Sequence, residues 1–199
     1  MRDVLSSYPR PIPGARYGSP AVKRRVARAI ARSGATLFLF ADERSAERAG
    51  MPPGERVLGQ PLSGSEIVLP GPRFRGGLAP DRDATYEEVA HFVQDFGIYT
   101  ALVPFQRTLD RLAADAVARG LYAPPADVAA HERESIDNEY LAFGLETLYG
   151  LWAKDPNPEE HRFATPAAMR RGDPRLVRLI EGFLPATRPA ATSPLACRG

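Results

Sequence analysis

The feature that most constrains the fold is a change of sequence pattern at Pro80. Residues 34–79 hold short apolar runs separated by Gly- and Pro-rich turn sequences, whereas most of the chain after Pro80 has helical periodicity. Strands followed by helices indicate an α+β fold, with a small N-terminal sheet and a mainly helical C-terminal part. The chain has 199 residues, 44% of them apolar, so we predict a single domain over residues 1–183.

The predicted sheet lies between Gly34 and Ala79. Residues 36–41 are an apolar, aromatic-rich run that predicts a buried strand, and residues 56–59 and 66–69 are weaker strand candidates. The turn sequences that flank these runs favour an antiparallel or mixed sheet.

Helical periodicity and helix stop signals predict the remaining elements. A basic helix over residues 19–33 carries its Lys and Arg side chains on a solvated face, although such a helix can also touch nucleic acid or an acidic partner. Later helices are predicted near residues 84–96, 103–119, 126–135, 138–153 and 173–183. The Pro-containing tail, 184–199, is predicted to be disordered.

Charge and cysteine content limit the partners and the compartment. The 26 basic and 24 acidic residues nearly cancel, so the composition predicts no nucleic-acid partner. No run of 18 uncharged apolar residues occurs, so no membrane span is expected. The only cysteine, Cys197, cannot form an internal disulfide, and we expect a cytoplasmic protein. The oligomeric state stays open.

The chemistry is concentrated in the sequence Glu87-Glu88-Val89-Ala90-His91. Glu87 and His91 are four residues apart, so on a helix they stand one turn above the other, which is the geometry of two metal ligands. Glu88 then occupies the position of a general base that activates water. The alternative is a capping box, in which Thr85 and Glu88 satisfy the first turn of the helix.

A second element, Asn138-Glu139-Tyr140-Leu141-Ala142, begins 47 residues after His91. Together the two elements resemble gluzincin metallopeptidases, and in particular the protease domain of anthrax lethal factor. This resemblance covers residues 35–184 and implies a zincin-like fold, with Glu139 as the third metal ligand and the strand candidate 66–69 as the edge that receives an extended peptide. The family's first histidine ligand is replaced here by Glu87.

The resemblance also implies a donor to the developing oxyanion, which in the family is a tyrosine shortly before the third ligand. The matching stretch here has no tyrosine, and His131 is the candidate catalytic replacement. The alternative is that His131 is an exposed helical residue.

Three functions follow as hypotheses. The first is a zincin-fold hydrolase of a peptide or small molecule, with Glu88 as base and Glu87, His91 and Glu139 around zinc or an oxygen-preferring metal. The second is a metal-free acid/base biosynthetic enzyme that acts on a small molecule in the same cleft. The third is a pseudopeptidase that binds a peptide or partner protein without turnover.

Overall fold

A computed structural model describes residues 2–42, 44–45, 48, 58–64, 84–124, 136–151 and 162–187. Its elements, in chain order, are α1 (Arg2–Ser7), α2 (Pro20–Ser33), β1 (Thr36–Phe40), β2 (Gly59–Ser63), α3 (Thr85–Val93), a π-helical turn (Gln94–Ile98), α4 (Tyr99–Ala101), α5 (Val103–Ala118), α6 (Ile136–Leu148), α7 (Pro166–Gly172) and α8 (Pro174–Glu181). The predicted order of a small sheet followed by helices is confirmed. The predicted helix 126–135, the strand candidate 66–69 and the tail from residue 188 lie outside the described residues.

The two described strands pair in parallel, from Thr36 opposite Gly59 to Phe40 opposite Ser63. The prediction of an antiparallel or mixed sheet is therefore wrong for this pair. Eighteen residues separate the strands, which is enough for the crossover that parallel pairing needs. Burial of β1 was also predicted incorrectly, because Leu39 is 57% exposed. Only Leu62 and Ser63 of β2 are fully buried.

Helix α3 lies at the centre of the core. Tyr86, Val89, Ala90 and Val93 of the predicted apolar stripe are buried, and Phe96 is partly buried. This helix packs against α6, which in turn packs against α5, α7 and α8. At Gly144 of α6 an added Cβ would lie 2.6 Å from Leu176 Cδ2, so this glycine allows α8 to approach closely. No helix in the described part of the chain is long and apolar enough to cross a membrane.

The π turn continues α3 without a break in the helix path. It differs from an α-helical turn by closing hydrogen bonds over five residues instead of four. At Gly97 in this turn an added Cβ would lie 2.8 Å from Val26 Cγ1, so a side chain there would push α2 away. Helix α2 therefore packs directly against the segment that follows the Glu87 to His91 motif.

Helix α2 begins and ends near the predicted bounds, but one of its basic residues is not solvated. The Ser19 hydroxyl accepts from the Val22 backbone at 3.3 Å and caps the first turn. Lys23 is only 1% exposed, and its Nζ donates to the carbonyl oxygens of Tyr8, at 2.7 Å, and Phe183. Lys23 therefore links, through hydrogen bonds, the backbone just after α1 to the backbone just after α8.

Candidate metal centre

Glu87 and His91 lie on α3, one helical turn apart, and both are 8% exposed. Helix α3 begins at Thr85, with Ala84 as the preceding cap residue, and Ala84 provides no side-chain cap. Thr85 is therefore inside the helix and not at its cap, so the capping-box alternative is wrong. The two acidic residues of the first turn remain favoured by the positive end of the helix dipole.

Glu139 reaches the same place from the first turn of α6. Its Oε1 lies 3.7 Å from His91 Nε2, and one potential ligand atom from each of Glu87, His91 and Glu139 lies within 4.8 Å of the others. The Glu139 side chain is 20% exposed. The structure thus brings together three residues that two different helices supply, of which Glu87 and His91 are buried and Glu139 is partly exposed.

The distances and the donor atoms fit a divalent metal ion. A separation of 3.7 Å between nitrogen and oxygen is too long for a hydrogen bond. It is close to the spacing of about 3.4 Å between two ligands that each stand about 2.1 Å from a tetrahedral ion. The three potential ligand atoms lie within 4.8 Å of one another, so a pair at that limit has to approach by about 1.4 Å, which a glutamate side chain can accommodate by rotation. Two carboxylates and a neutral imidazole would balance the charge of such an ion.

Glu88 is half-buried and lies about 100° around α3 from Glu87. Its Oε2 accepts a hydrogen bond from Gln60 Nε2 at 2.5 Å, so strand β2 fixes this carboxylate from outside the helix. Because Gln60 belongs to another element, this hydrogen bond restrains the Glu88 rotamer. Gln60 was missed by sequence reasoning, since it lies just beyond a weak strand candidate and belongs to no motif.

The first turn of α6 is joined to the π turn by two side-chain hydrogen bonds. Gln94 Nε2 donates to Asp137 Oδ2 at 2.6 Å, and Asn138 Nδ2 donates to Asp95 Oδ1 at 2.6 Å. Partial burial raises the pKa of the Asp137 carboxyl, and the Gln106 hydrogen bond opposes this increase. Gln94 and Asp95 follow His91 closely in sequence, and Asp137 and Asn138 directly precede Glu139. The two bonds therefore fix the position of Glu139 relative to His91.

The candidate oxyanion donor, His131, lies outside the described residues, and its role stays a prediction. No protein-family model, no curated protein and no solved structure matches this chain. The described residues show a mostly helical α+β fold that contains a group of Glu87, His91 and Glu139 able to hold a metal ion.

Proposed function

We propose that the protein is a metal-dependent hydrolase of zincin type whose substrate contains an amide or a similar carbonyl bond. The observation that carries the proposal is the convergence of Glu87, His91 and Glu139 within 4.8 Å. The gluzincin resemblance uses the same three positions, in the same order along the chain. The hydrogen bond from Gln60 supports a role for Glu88 as general base, because a catalytic side chain needs a supporting residue to hold its rotamer.

The three converging residues would hold the ion, and Glu88 would act beside it. When bound, a divalent metal ion acidifies water and polarises a carbonyl oxygen. Glu88 accepts a proton from the attacking water as its oxygen adds to the carbonyl carbon. Glu88 then delivers that proton to the leaving nitrogen as the carbon–nitrogen bond breaks. The products are a carboxylic acid and an amine.

The replacement of the family's first histidine by Glu87 sets the strength of this chemistry. Two carboxylates neutralise a divalent ion more completely than one carboxylate does, so the ion withdraws less electron density from its remaining ligands. We expect the enzyme to be slower than a gluzincin with two histidine ligands. We also expect it to have a stronger preference for manganese or a similar oxygen-preferring metal than such a gluzincin has.

Metal binding is tested by calorimetric titration of the chelator-treated protein with Zn²⁺ and with Mn²⁺. We expect one ion per chain, and Glu139→Gln should weaken the affinity by more than about 10-fold, because losing a ligand charge costs at least as much as losing a hydrogen-bond partner of a ligand. Asp115→Asn is the matched control, since Asp115 is a half-buried carboxylate outside the metal group that pairs with Arg119 and Arg175. Absence of binding to the wild-type protein, or equal affinity in the two variants, refutes the metal site.

Hydrolysis is tested on a mixed peptide library and on small amides, with Glu88→Gln as the diagnostic variant. The glutamine still accepts the Gln60 hydrogen bond, so the fold and the metal affinity should persist. We expect the rate to fall by about 10²- to 10⁴-fold, the usual contribution of a general base. Activity that survives chelation but disappears in Glu88→Gln would instead identify the metal-free acid/base enzyme. Ligand binding without turnover in both proteins would identify the pseudopeptidase.

A further inference from the structure

A half-enclosed cavity of about 200 Å³ lies between α1, α2 and α3, next to the residue Phe183 that follows α8. Most of its wall is apolar and comes from the side chains of Leu5, Val26, Ile30, Phe92, Val93 and Phe183. Pro9 and Ala27 also line it and are exposed, so they mark the side that opens to solvent. Because a cavity of about 150 Å³ can hold benzene, this one has room for an aromatic ring with a small substituent.

Among the described residues that line the cavity, Lys23 alone is charged. It is 1% exposed, and its Nζ donates to the carbonyl oxygens of Tyr8, at 2.7 Å, and Phe183. The same nitrogen lies 3.7 Å from the centre of the Phe183 ring. Tyr8 and Phe183 themselves line the cavity, so the ammonium group of Lys23, and not only its methylene chain, belongs to the wall.

The buried charge of Lys23 has no counter-charge. In the part of the chain that the structure describes, no Asp or Glu lies within ion-pairing distance of Nζ. An ammonium has three N–H donors, and only two of them have an oxygen acceptor here. Burial lowers the pKa of Lys23 to about 8, so the amine is still mainly protonated at pH 7. Since buried charges in proteins are normally paired, what this apolar cavity lacks is an anion.

We propose that this cavity binds a small monocarboxylate with an apolar body, whose carboxylate pairs with Lys23 while its hydrocarbon or aryl part packs against Val26 and Phe92. A neutral apolar molecule would leave the ammonium unpaired. A dianion such as phosphate would bring a second negative charge against an apolar wall that offers no second cation. The binding requires no metal ion, so it does not depend on the proposed hydrolase function.

The test is calorimetric titration of the full chain with sodium benzoate at pH 7 in the presence of chelator. The matched control ligand is benzyl alcohol, which has the same ring and no charge. We expect benzoate to bind and benzyl alcohol to bind at least about tenfold more weakly, as for the loss of one hydrogen bond to a charged group. No binding of benzoate, or equal affinity for the two ligands, would overturn the proposal.

Two pairs of variants on α2 locate the binding. Lys23→Met removes the ammonium and should abolish the preference for benzoate over benzyl alcohol, whereas the exposed Arg24→Met should retain it. Lys23→Met also removes two buried hydrogen bonds, so the second pair keeps Lys23. Ala27→Leu adds bulk at the mouth and should weaken benzoate binding about tenfold, whereas Ala31→Leu, exposed and outside the cavity, should not. Equal effects within either pair would contradict the assignment.

Discussion

The buried ammonium of Lys23 should give the protein a distinctive dependence of stability on pH. Burial lowers the pKa of Lys23 from 10.5 to about 8. In the folded protein the amine therefore loses its proton near pH 8, whereas in the unfolded chain it does so near pH 10.5. Between these values the unfolded state binds more protons, so the contribution of Lys23 to the free energy of unfolding must rise with pH.

The magnitude follows from the difference between the two pKa values. Between a pKa of 10.5 in the unfolded chain and one of about 8 in the folded protein, at about 1.36 kcal/mol per pH unit, the free energy of unfolding can rise by at most about 3 kcal/mol. The ammonium gains from two carbonyl hydrogen bonds and from the Phe183 ring, whose centre lies 3.7 Å from Nζ, and these contacts favour the charged form. We therefore expect an increase of about 1–3 kcal/mol between pH 8 and pH 10.5.

The assay is urea denaturation of the wild-type protein and of Lys23→Met at several pH values from 7 to 10.5. Burial raises the pKa of Tyr8, Tyr140 and Tyr149, which lowers the stability of both proteins above pH 10. That effect cancels in the difference between them. The difference should be constant below pH 8 and increase above it. Arg24→Met, an exposed change on the same helix, should show no such increase, and a flat or falling difference for Lys23→Met would refute the reasoning.

Three further predictions concern the candidate site and its support. Glu87→His should raise the preference for Zn²⁺ over Mn²⁺ by about tenfold in competitive titration, because a second imidazole replaces a hard oxygen ligand; an unchanged ratio would mean that residue 87 is not a ligand. Asn138→Ala should weaken metal affinity by about tenfold although Asn138 is no ligand, since it removes the bond to Asp95 that positions α6, and calorimetry would detect the loss. Gly144→Val should lower the free energy of unfolding by about 1–3 kcal/mol in urea, because its Cβ would overlap Leu176; full stability would mean that α8 can move away freely.

The elements that the sequence predicted well depend on local pattern. The stripe from Tyr86 to Val93 has helical spacing, and Ser19 and Gly34 mark the ends of α2, so these helices lie close to their predicted bounds. The meeting of Glu87, His91 and Glu139 was also anticipated, from their spacing and from the resemblance. Helices α1 and α7 were missed because they have six and seven residues, too few to show a periodicity.

The features that were predicted wrongly or missed depend on contacts between distant residues. The direction in which β1 pairs with β2 is decided by the path of the intervening chain, which turn sequences alone do not reveal. Burial of Lys23 depends on carbonyl groups of Tyr8 and Phe183, residues 15 and 160 positions away. The bond from Gln60 to Glu88 likewise spans 28 positions, and no local pattern marks either residue for it.

The π turn has a consequence for how chains of this type can vary in length. Its hydrogen bonds close over one residue more than those of an α-helix, so the helix that follows is displaced in phase by about 100°. Deleting one residue from 96–98 would allow a regular α-helix to form, but it would turn Tyr99 onto another face. Such a deletion would reorient α4 but keep Gln94 and Asp95, whose hydrogen bonds position the first turn of α6 relative to His91. In related sequences, an alignment gap of one residue after Asp95 would mark proteins that keep the metal group and present a different surface from α4.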